Sequence, residues 1–108
     1  MNRLGFHCNR LFHIEGGILL NGLRRGEFYN FPQDDMAALI EQIRHLDIVM
    51  SIHTPLVRLD WYPEPPTWSF LCDIDREKRD LTMRMVGDTA QRAEYFGAEY
   101  VVVHFPSP

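Results

Sequence analysis

Two apolar runs of the sequence each end in a histidine, and these histidines are the residues best suited to chemistry. The runs are residues 48–53 and 100–104, and a proline follows each of them within two residues. Both are short and rich in β-branched residues, which is typical of buried parallel strands. Because the carboxyl ends of neighbouring parallel strands lie side by side, we expect His53 and His104 to project into one site. Imidazole is a common metal ligand, so the pair predicts a divalent metal site for Zn, Mn or Mg.

Strand and helix patterns alternate along the rest of the chain. Further strands are predicted at residues 4–8 and 27–31, and Pro32 ends the second of them. Four glycines between residues 9 and 26 leave room for a helix of two turns at most, around residues 18–23.

Two longer helices follow. Gln33 or Asp34 is expected to cap the first, whose apolar face is formed by Met36, Leu39, Ile40, Ile43 and Leu46. Asp75 is expected to cap the second, and Gly97 to end it in a left-handed conformation. Its spacing predicts that Arg79 and Arg92 are not buried and that one face is, formed by Leu81, Met85, Thr89, Ala93 and Phe96.

This order predicts an α/β fold with a parallel sheet of about four strands. A closed eight-stranded barrel needs about 250 residues. We therefore expect residues 1–108 to form a single partial TIM-barrel domain, completed by a missing C-terminal half or by a second copy in a homodimer. Its inner surface should be apolar and exposed, with contributions from Phe6, Phe28, Val49 or Met50, and Val102 or Val103.

Composition narrows the class of protein. The net charge of −4 and the lack of a basic stripe argue against a nucleic-acid partner. Two cysteines, Cys8 and Cys72, are too few for a disulfide framework and fit a reducing compartment. No apolar run reaches the roughly 20 residues that span a bilayer, and the first residues do not resemble a signal peptide. We expect a cytoplasmic protein without a membrane partner.

The segment from residue 56 to residue 73 is an unusually long, aromatic connection. It contains Trp61, Tyr62, Trp68 and Phe70, with three prolines among them. Connections of this length without secondary structure are often functional, so Trp61 and Trp68 are candidate substrate-binding residues. The alternative is that these rings pack over one end of the fold or against a partner.

Three short motifs occur in the same order as in a known superfamily. They are Ser-Ile-His-Thr-Pro at 51–55, Asp-Arg-Glu-Lys-Arg at 75–79, and Ala-Glu-Tyr-Phe-Gly-Ala-Glu-Tyr-Val-Val-Val-His at 93–104. In this combination the sequence resembles the xylose-isomerase-like TIM-barrel superfamily, which includes sugar-phosphate isomerases and epimerases and also endonuclease IV. The opening strand, with His7, resembles that superfamily more weakly. The resemblance covers most of this chain but only about the first half of the superfamily's barrel.

The resemblance implies a metal-dependent isomerase or epimerase that moves a proton next to the carbonyl of a sugar or sugar phosphate. In endonuclease IV-like members, the histidines that match His53 and His104 bind zinc, and one matching His7 lies near the site, where we expect it to contact substrate. The catalytic base is not identified, because in the superfamily it comes from later strands.

Two other functions stay open. A zinc-dependent AP endonuclease ranks lower, because that pattern continues as Pro-Gly-Ser-His where residues 105–108 are Phe-Pro-Ser-Pro. The other is a non-catalytic half-barrel or truncated fragment.

Overall fold

The computed structural model describes residues 5–62 and 74–103, which form an α/β fold around a parallel four-stranded sheet. The strands pair in sequential order and are β1 (Gly5–Cys8), β2 (Arg25–Phe28), β3 (Val49–His53) and β4 (Val101–Val102). Helix α1 (Met36–Arg44) connects β2 to β3, and helix α2 (Arg76–Phe96) lies between β3 and β4. The predicted α/β class and the parallel sheet of four strands are confirmed.

One face of the sheet forms the hydrophobic core with the helices. Phe28, Met50 and Ile52 are buried there, together with Leu39 of α1 and Ala93 of α2. Successive side chains of a strand point to opposite faces, so these strand residues share the face that the helices cover. The prediction that Phe6 and Phe28 line an exposed inner surface is therefore wrong, because Phe28 is buried and Phe6 packs against the same core. Of the alternatives Val49 and Met50, Met50 belongs to the core, and Val49 lies on the opposite face.

The opposite face of the sheet is polar. The register places His7 of β1 beside Glu27 of β2 and Glu27 beside Ser51 of β3. His53 lies two residues after Ser51 and so points to the same side. Arg25 lies two residues before Glu27 and belongs to this face as well. This polar face therefore carries several side chains that bind water, ions or polar ligands, with the apolar Val49 among them.

A π-helix, Ile14–Leu19, connects β1 to β2 and packs Ile14 and Ile18 into the core. Gly17 makes the close approach possible, because a Cβ atom there would lie 2.4 Å from ring atoms of Phe6. The short helix expected in this region is present, but it begins four residues earlier than predicted and has the wider π-helical turn.

Strand β2 begins and ends earlier than the predicted 27–31. Asn30 has a φ of 52°, so the extended conformation stops before it; asparagine tolerates this left-handed region better than most residues. Its N–H donates to the carbonyl of Pro55 at 2.8 Å. Phe31 then forms an isolated parallel bridge with Val57, which continues the pairing of the two chain segments beyond β2 and β3.

Helix α1 starts differently from the prediction. A 3₁₀ turn, Gln33–Asp35, precedes it, and Asp35 is the N-cap without a side-chain hydrogen bond. Capping by Gln33 or Asp34 is therefore wrong. The apolar face is correct: Leu39 is fully buried, and Met36, Ile43 and Leu46 are partly buried against the core.

Helix α2 has both predicted ends. The Asp75 carboxylate accepts a hydrogen bond from the N–H of Glu77 at 2.9 Å, and Gly97 ends the helix with a φ of 66°. Met85, Thr89 and Ala93 are buried as expected, whereas Leu81 and Phe96 are only partly buried. Arg79 and Arg92 are half-buried, so the prediction that neither is buried is confirmed. Within the described residues, no helix has the length and apolar character needed to cross a membrane.

Candidate metal centre

Three neighbouring strands bring His7, Glu27 and His53 together on the polar face of the sheet. Oε2 of Glu27 lies 3.0 Å from Nε2 of His53 and 3.3 Å from Nε2 of His7. The two imidazole rings are 5.7 Å apart between centroids. One carboxylate oxygen therefore lies between two imidazole nitrogens from the strands on either side of it.

The position of these residues follows from strand order and register. His7 and Glu27 are the penultimate residues of β1 and β2, and His53 is the last residue of β3. All three thus lie at the carboxyl ends of parallel strands, where α/β folds bind ligands. The exposed fractions of the side chains are 66% for His7, 26% for Glu27 and 19% for His53, so the group is open on the His7 side.

The spacing of the donor atoms fits a metal ion. One ligand atom from each residue can be chosen so that all three lie within 4.8 Å of one another. Two ligands placed 2.0–2.1 Å from a tetrahedral zinc ion are about 3.3 Å apart, close to both distances from Glu27. Without an ion, the 3.0 Å distance suits a hydrogen bond between the imidazole of His53 and the carboxylate, and at 3.3 Å His7 forms an ion pair with the same carboxylate when it is protonated. The three residues could therefore hold a metal ion or form a triad joined by hydrogen bonding and ion pairing.

Aromatic side chains surround the group. The ring of Tyr29 lies 6.0 Å from the ring of His7 and 6.0 Å from that of His53, measured between centroids. The hydroxyl of Tyr100 donates to Oε1 of Glu27 at 3.3 Å. These contacts restrict the orientation of the two imidazoles and of the carboxylate.

A cavity of about 200 Å³ extends from this group along the polar face. Its walls include Arg25, Glu27, Val49, Ser51 and Tyr100, together with His7. Arg25 pairs with Glu99 at the far end, and this hydrogen-bonded carboxylate raises the pKa of the guanidinium. The cavity offers two hydroxyl groups, a paired cation and a carboxylate to a small polar molecule.

Some of the predicted site residues lie in the part of the chain that the structure describes, and others lie outside it. His53 and His7 both belong to the group, and β3 pairs with β4 in parallel as expected. His104 and Trp68 lie outside the described residues, so a shared site of His53 and His104 stays a prediction.

Trp61 packs against the protein itself. The guanidinium carbon of Arg84 lies 4.1 Å from the centroid of the Trp61 ring, in a cation–π contact with α2. The neighbouring Tyr62 is buried and shares a hydrogen bond of 2.7 Å with Thr82. This part of the aromatic connection thus forms a small second core with Leu59 and Met85. A contact between Trp61 and a substrate stays a prediction.

Glu27 is the member of the group that sequence reasoning missed. It lies in a strand pattern, and its charge was given no role. The sequence signal for Glu27 was a carboxylate inside a predicted strand. Parallel pairing places this strand between two strands that carry histidines at their ends. Metal sites that combine imidazole with carboxylate are common, so this pattern is enough to make Glu27 a candidate ligand.

Cys8 follows His7 in the sequence, but its thiol is not available as a metal ligand. Its side chain is fully buried on the helix side of the sheet. Burial raises the pKa of the Cys8 thiol to about 12. Cys8 is therefore a small apolar core residue.

Comparisons of this chain with protein families, with curated proteins and with solved structures find no match.

Proposed function

We propose that this chain is the metal-binding half of a sugar or sugar-phosphate isomerase or epimerase. The observation that supports this best is the group of His7, Glu27 and His53 at the carboxyl ends of three parallel strands. A polar cavity adjoins the group and has the dimensions of a small-molecule subsite. The sequential order of the strands is that of a TIM barrel, in which active sites are built at this end of the sheet.

The donor set favours zinc over manganese, and manganese over magnesium. Two imidazoles and one carboxylate are ligands of catalytic zinc sites, which use three protein ligands and keep one position open. Magnesium prefers oxygen ligands in a strict octahedral arrangement and retains several water molecules. The metal proposed for this site is therefore zinc, held by His7, Glu27 and His53.

A bound divalent ion would polarise a substrate carbonyl and so acidify the adjacent C–H bond. The chain's own residues would place the substrate: the hydroxyls of Ser51 and Tyr100 border the cavity and can hydrogen-bond sugar hydroxyls. The residue that takes the proton belongs to strands beyond β4. Those strands would come from a C-terminal half or from a second copy and would close the barrel around the cavity. We expect the completed protein to be cytoplasmic.

Zinc binding can be tested by competition with a chromogenic chelator. We expect wild type to bind one zinc ion per site, and His53→Ala and Glu27→Gln to bind it at least tenfold more weakly. His45→Ala is the matched control, because His45 also contacts a glutamate, Glu41 at 2.9 Å, on the exposed surface of α1. Equal zinc affinity in wild type and His53→Ala would show that the group is only a triad joined by hydrogen bonding and ion pairing.

The reaction can be tested without knowing the substrate. Aldoses, ketoses and their phosphates are incubated with the zinc-loaded protein in D₂O, and loss of the proton next to the carbonyl is followed by ¹H NMR. Exchange that requires zinc and Glu27 would support the isomerase or epimerase. Because this chain does not itself carry the base, zinc binding without any exchange would show that a second copy does not supply it, and a non-catalytic half-barrel would then be favoured over a homodimeric enzyme.

The imidazole-rich donor set also fits a zinc-dependent AP endonuclease. Its test is cleavage of a duplex that contains one abasic site, by the same zinc-loaded preparation. The net charge of −4 argues against this function, so we expect the duplex to remain uncleaved.

A further inference from the structure

Glu27 uses its two carboxylate oxygens for different partners. Oε2 faces both imidazoles, at 3.0 Å from His53 and 3.3 Å from His7. Oε1 accepts a hydrogen bond from the hydroxyl of Tyr100 at 3.3 Å. The carboxylate is thus turned so that one oxygen is available where the imidazole nitrogens converge and the other is directed elsewhere.

Tyr100 reaches Glu27 across the intervening strand. Tyr100 immediately precedes β4. Its carbonyl accepts a hydrogen bond from the N–H of Ile52 at 3.0 Å, which fixes the backbone of Tyr100 against β3. The side chain of Ser51 on β3 is small, so side chains from the chain segments on either side of β3 can meet above it. A second bridge crosses β3 in the same way, between Arg25 of β2 and Glu99.

We propose that Tyr100 is a positioning residue that fixes Glu27 as a ligand through Oε2 alone. This inference rests on the proposed metal site. With Oε1 occupied by the tyrosine hydroxyl, the carboxylate presents a single oxygen beside the two imidazoles and would fill one position around the ion rather than two. Hydrogen bonds of this kind orient metal-binding carboxylates, and their loss typically lowers metal affinity by 10- to 100-fold.

Tyr100 therefore also affects which metal binds. A carboxylate free to rotate can bind through both oxygens, an arrangement that large oxygen-seeking ions such as calcium accept. A carboxylate limited to one oxygen suits zinc in a site of three protein ligands. Removing the hydroxyl should weaken zinc binding and leave any weak calcium binding unchanged or slightly stronger.

The test uses the full chain with Tyr100→Phe, which removes one oxygen atom and keeps the ring. Zinc and calcium affinities are measured by competition with chelators, and the urea midpoint of the metal-free protein is measured beside them. We expect zinc to bind 10- to 100-fold more weakly, with the urea midpoint unchanged. Tyr95→Phe on the exposed surface of α2 is the matched control, and it should bind zinc as wild type does.

A second variant separates positioning of Glu27 from general bracing of the sheet. Glu99→Gln weakens the neighbouring bridge to Arg25 and leaves the hydroxyl of Tyr100 in place. It should retain most of the zinc affinity; a loss as large as that of Tyr100→Phe would refute a specific role for Tyr100. ¹⁵N NMR of the histidine side chains should show that Tyr100→Phe moves the Nε2 signals of His7 and His53 in the metal-free protein, and Tyr95→Phe should not.

The outcomes distinguish the two proposals. If wild type binds zinc and Tyr100→Phe binds it equally well, the positioning role is wrong and the metal site stands. If wild type binds no zinc, both proposals are wrong.

Discussion

Gly26 is the position where one methyl group should reveal how tightly the helix side of the sheet is packed. It lies in β2 beside Glu27, and its register partners are Phe6 and Met50. A Cβ atom at Gly26 would lie 2.5 Å from the ring of Phe28 and 2.7 Å from Cδ1 of Ile18. Both neighbours are fully buried, so neither can move aside without displacing the core.

Two opposing effects decide the sign of Gly26→Ala. Alanine in a strand interior is favoured over glycine by about 0.5–1 kcal/mol, because the unfolded glycine chain has more freedom to lose. Forcing an extra methyl into a packed core costs about 1–3 kcal/mol. Because the two contacts are far shorter than van der Waals distances, packing should dominate. We expect a net destabilisation of about 1–2 kcal/mol, which corresponds to a melting temperature lower by roughly 4–16 °C.

The measurement is urea unfolding followed by circular dichroism, with Gly87→Ala as the matched control. Gly87 lies within α2, and a Cβ atom there would meet nothing within 4 Å. The control should therefore gain about 1 kcal/mol from helix propensity. The same substitution is expected to change the free energy of unfolding in opposite directions at the two sites. If Gly26→Ala were as stable as wild type, the close packing of Ile18 and Phe28 over β2 would be refuted.

Two further predictions concern the second core beside α2. Met85→Ala should lower the free energy of unfolding by about 2–5 kcal/mol, because Met85 is 1% exposed and packs with Leu59 and Tyr62; a loss below about 0.5 kcal/mol in urea unfolding would contradict that packing. Burial raises the pKa of Tyr62, so the folded state favours the neutral phenol. The stability that the neutral phenol contributes is complete below the ordinary pKa of about 10, and it is lost as the pH rises through the folded-state pKa. Unfolding curves from pH 8 to pH 11 should therefore show a steeper loss of stability in wild type than in Tyr62→Phe, and parallel curves would show that Tyr62 ionises as freely in the folded protein as in the unfolded chain.

The elements that the sequence predicted well are those whose signals are local. Helix α2 has an N-cap aspartate, a buried stripe at helical spacing and a C-terminal glycine, and all three act within a few residues of the chain. The structure shows Asp75 and Gly97 in those roles. Strand β3 was predicted within one residue, since a run of β-branched residues before a proline has few alternatives.

The elements that were predicted less well depend on contacts distant in sequence. The π-helix Ile14–Leu19 is stabilised by packing of Ile14 and Ile18 against the sheet, and two glycines within it give no helical signal. The early end of β2 depends on Asn30, whose N–H bonds to Pro55 on another segment. Neither contact can be inferred from the spacing of residues in the local sequence.

The side of β2 that faces the helices decides whether Glu27 can belong to the site. An inner surface formed by Phe28 would turn Glu27 toward the helices, because neighbours in a strand point to opposite sides. Once the helices are seen to cover Phe28 and Met50, the same alternation turns Glu27 toward His7 and His53. A shift of one residue in a strand exchanges its two faces, so assigning Phe28 correctly to the core is enough to place Glu27 among the candidate ligands. The face assigned to β2 therefore decides both whether Phe28 enters the core and whether Glu27 reaches the site.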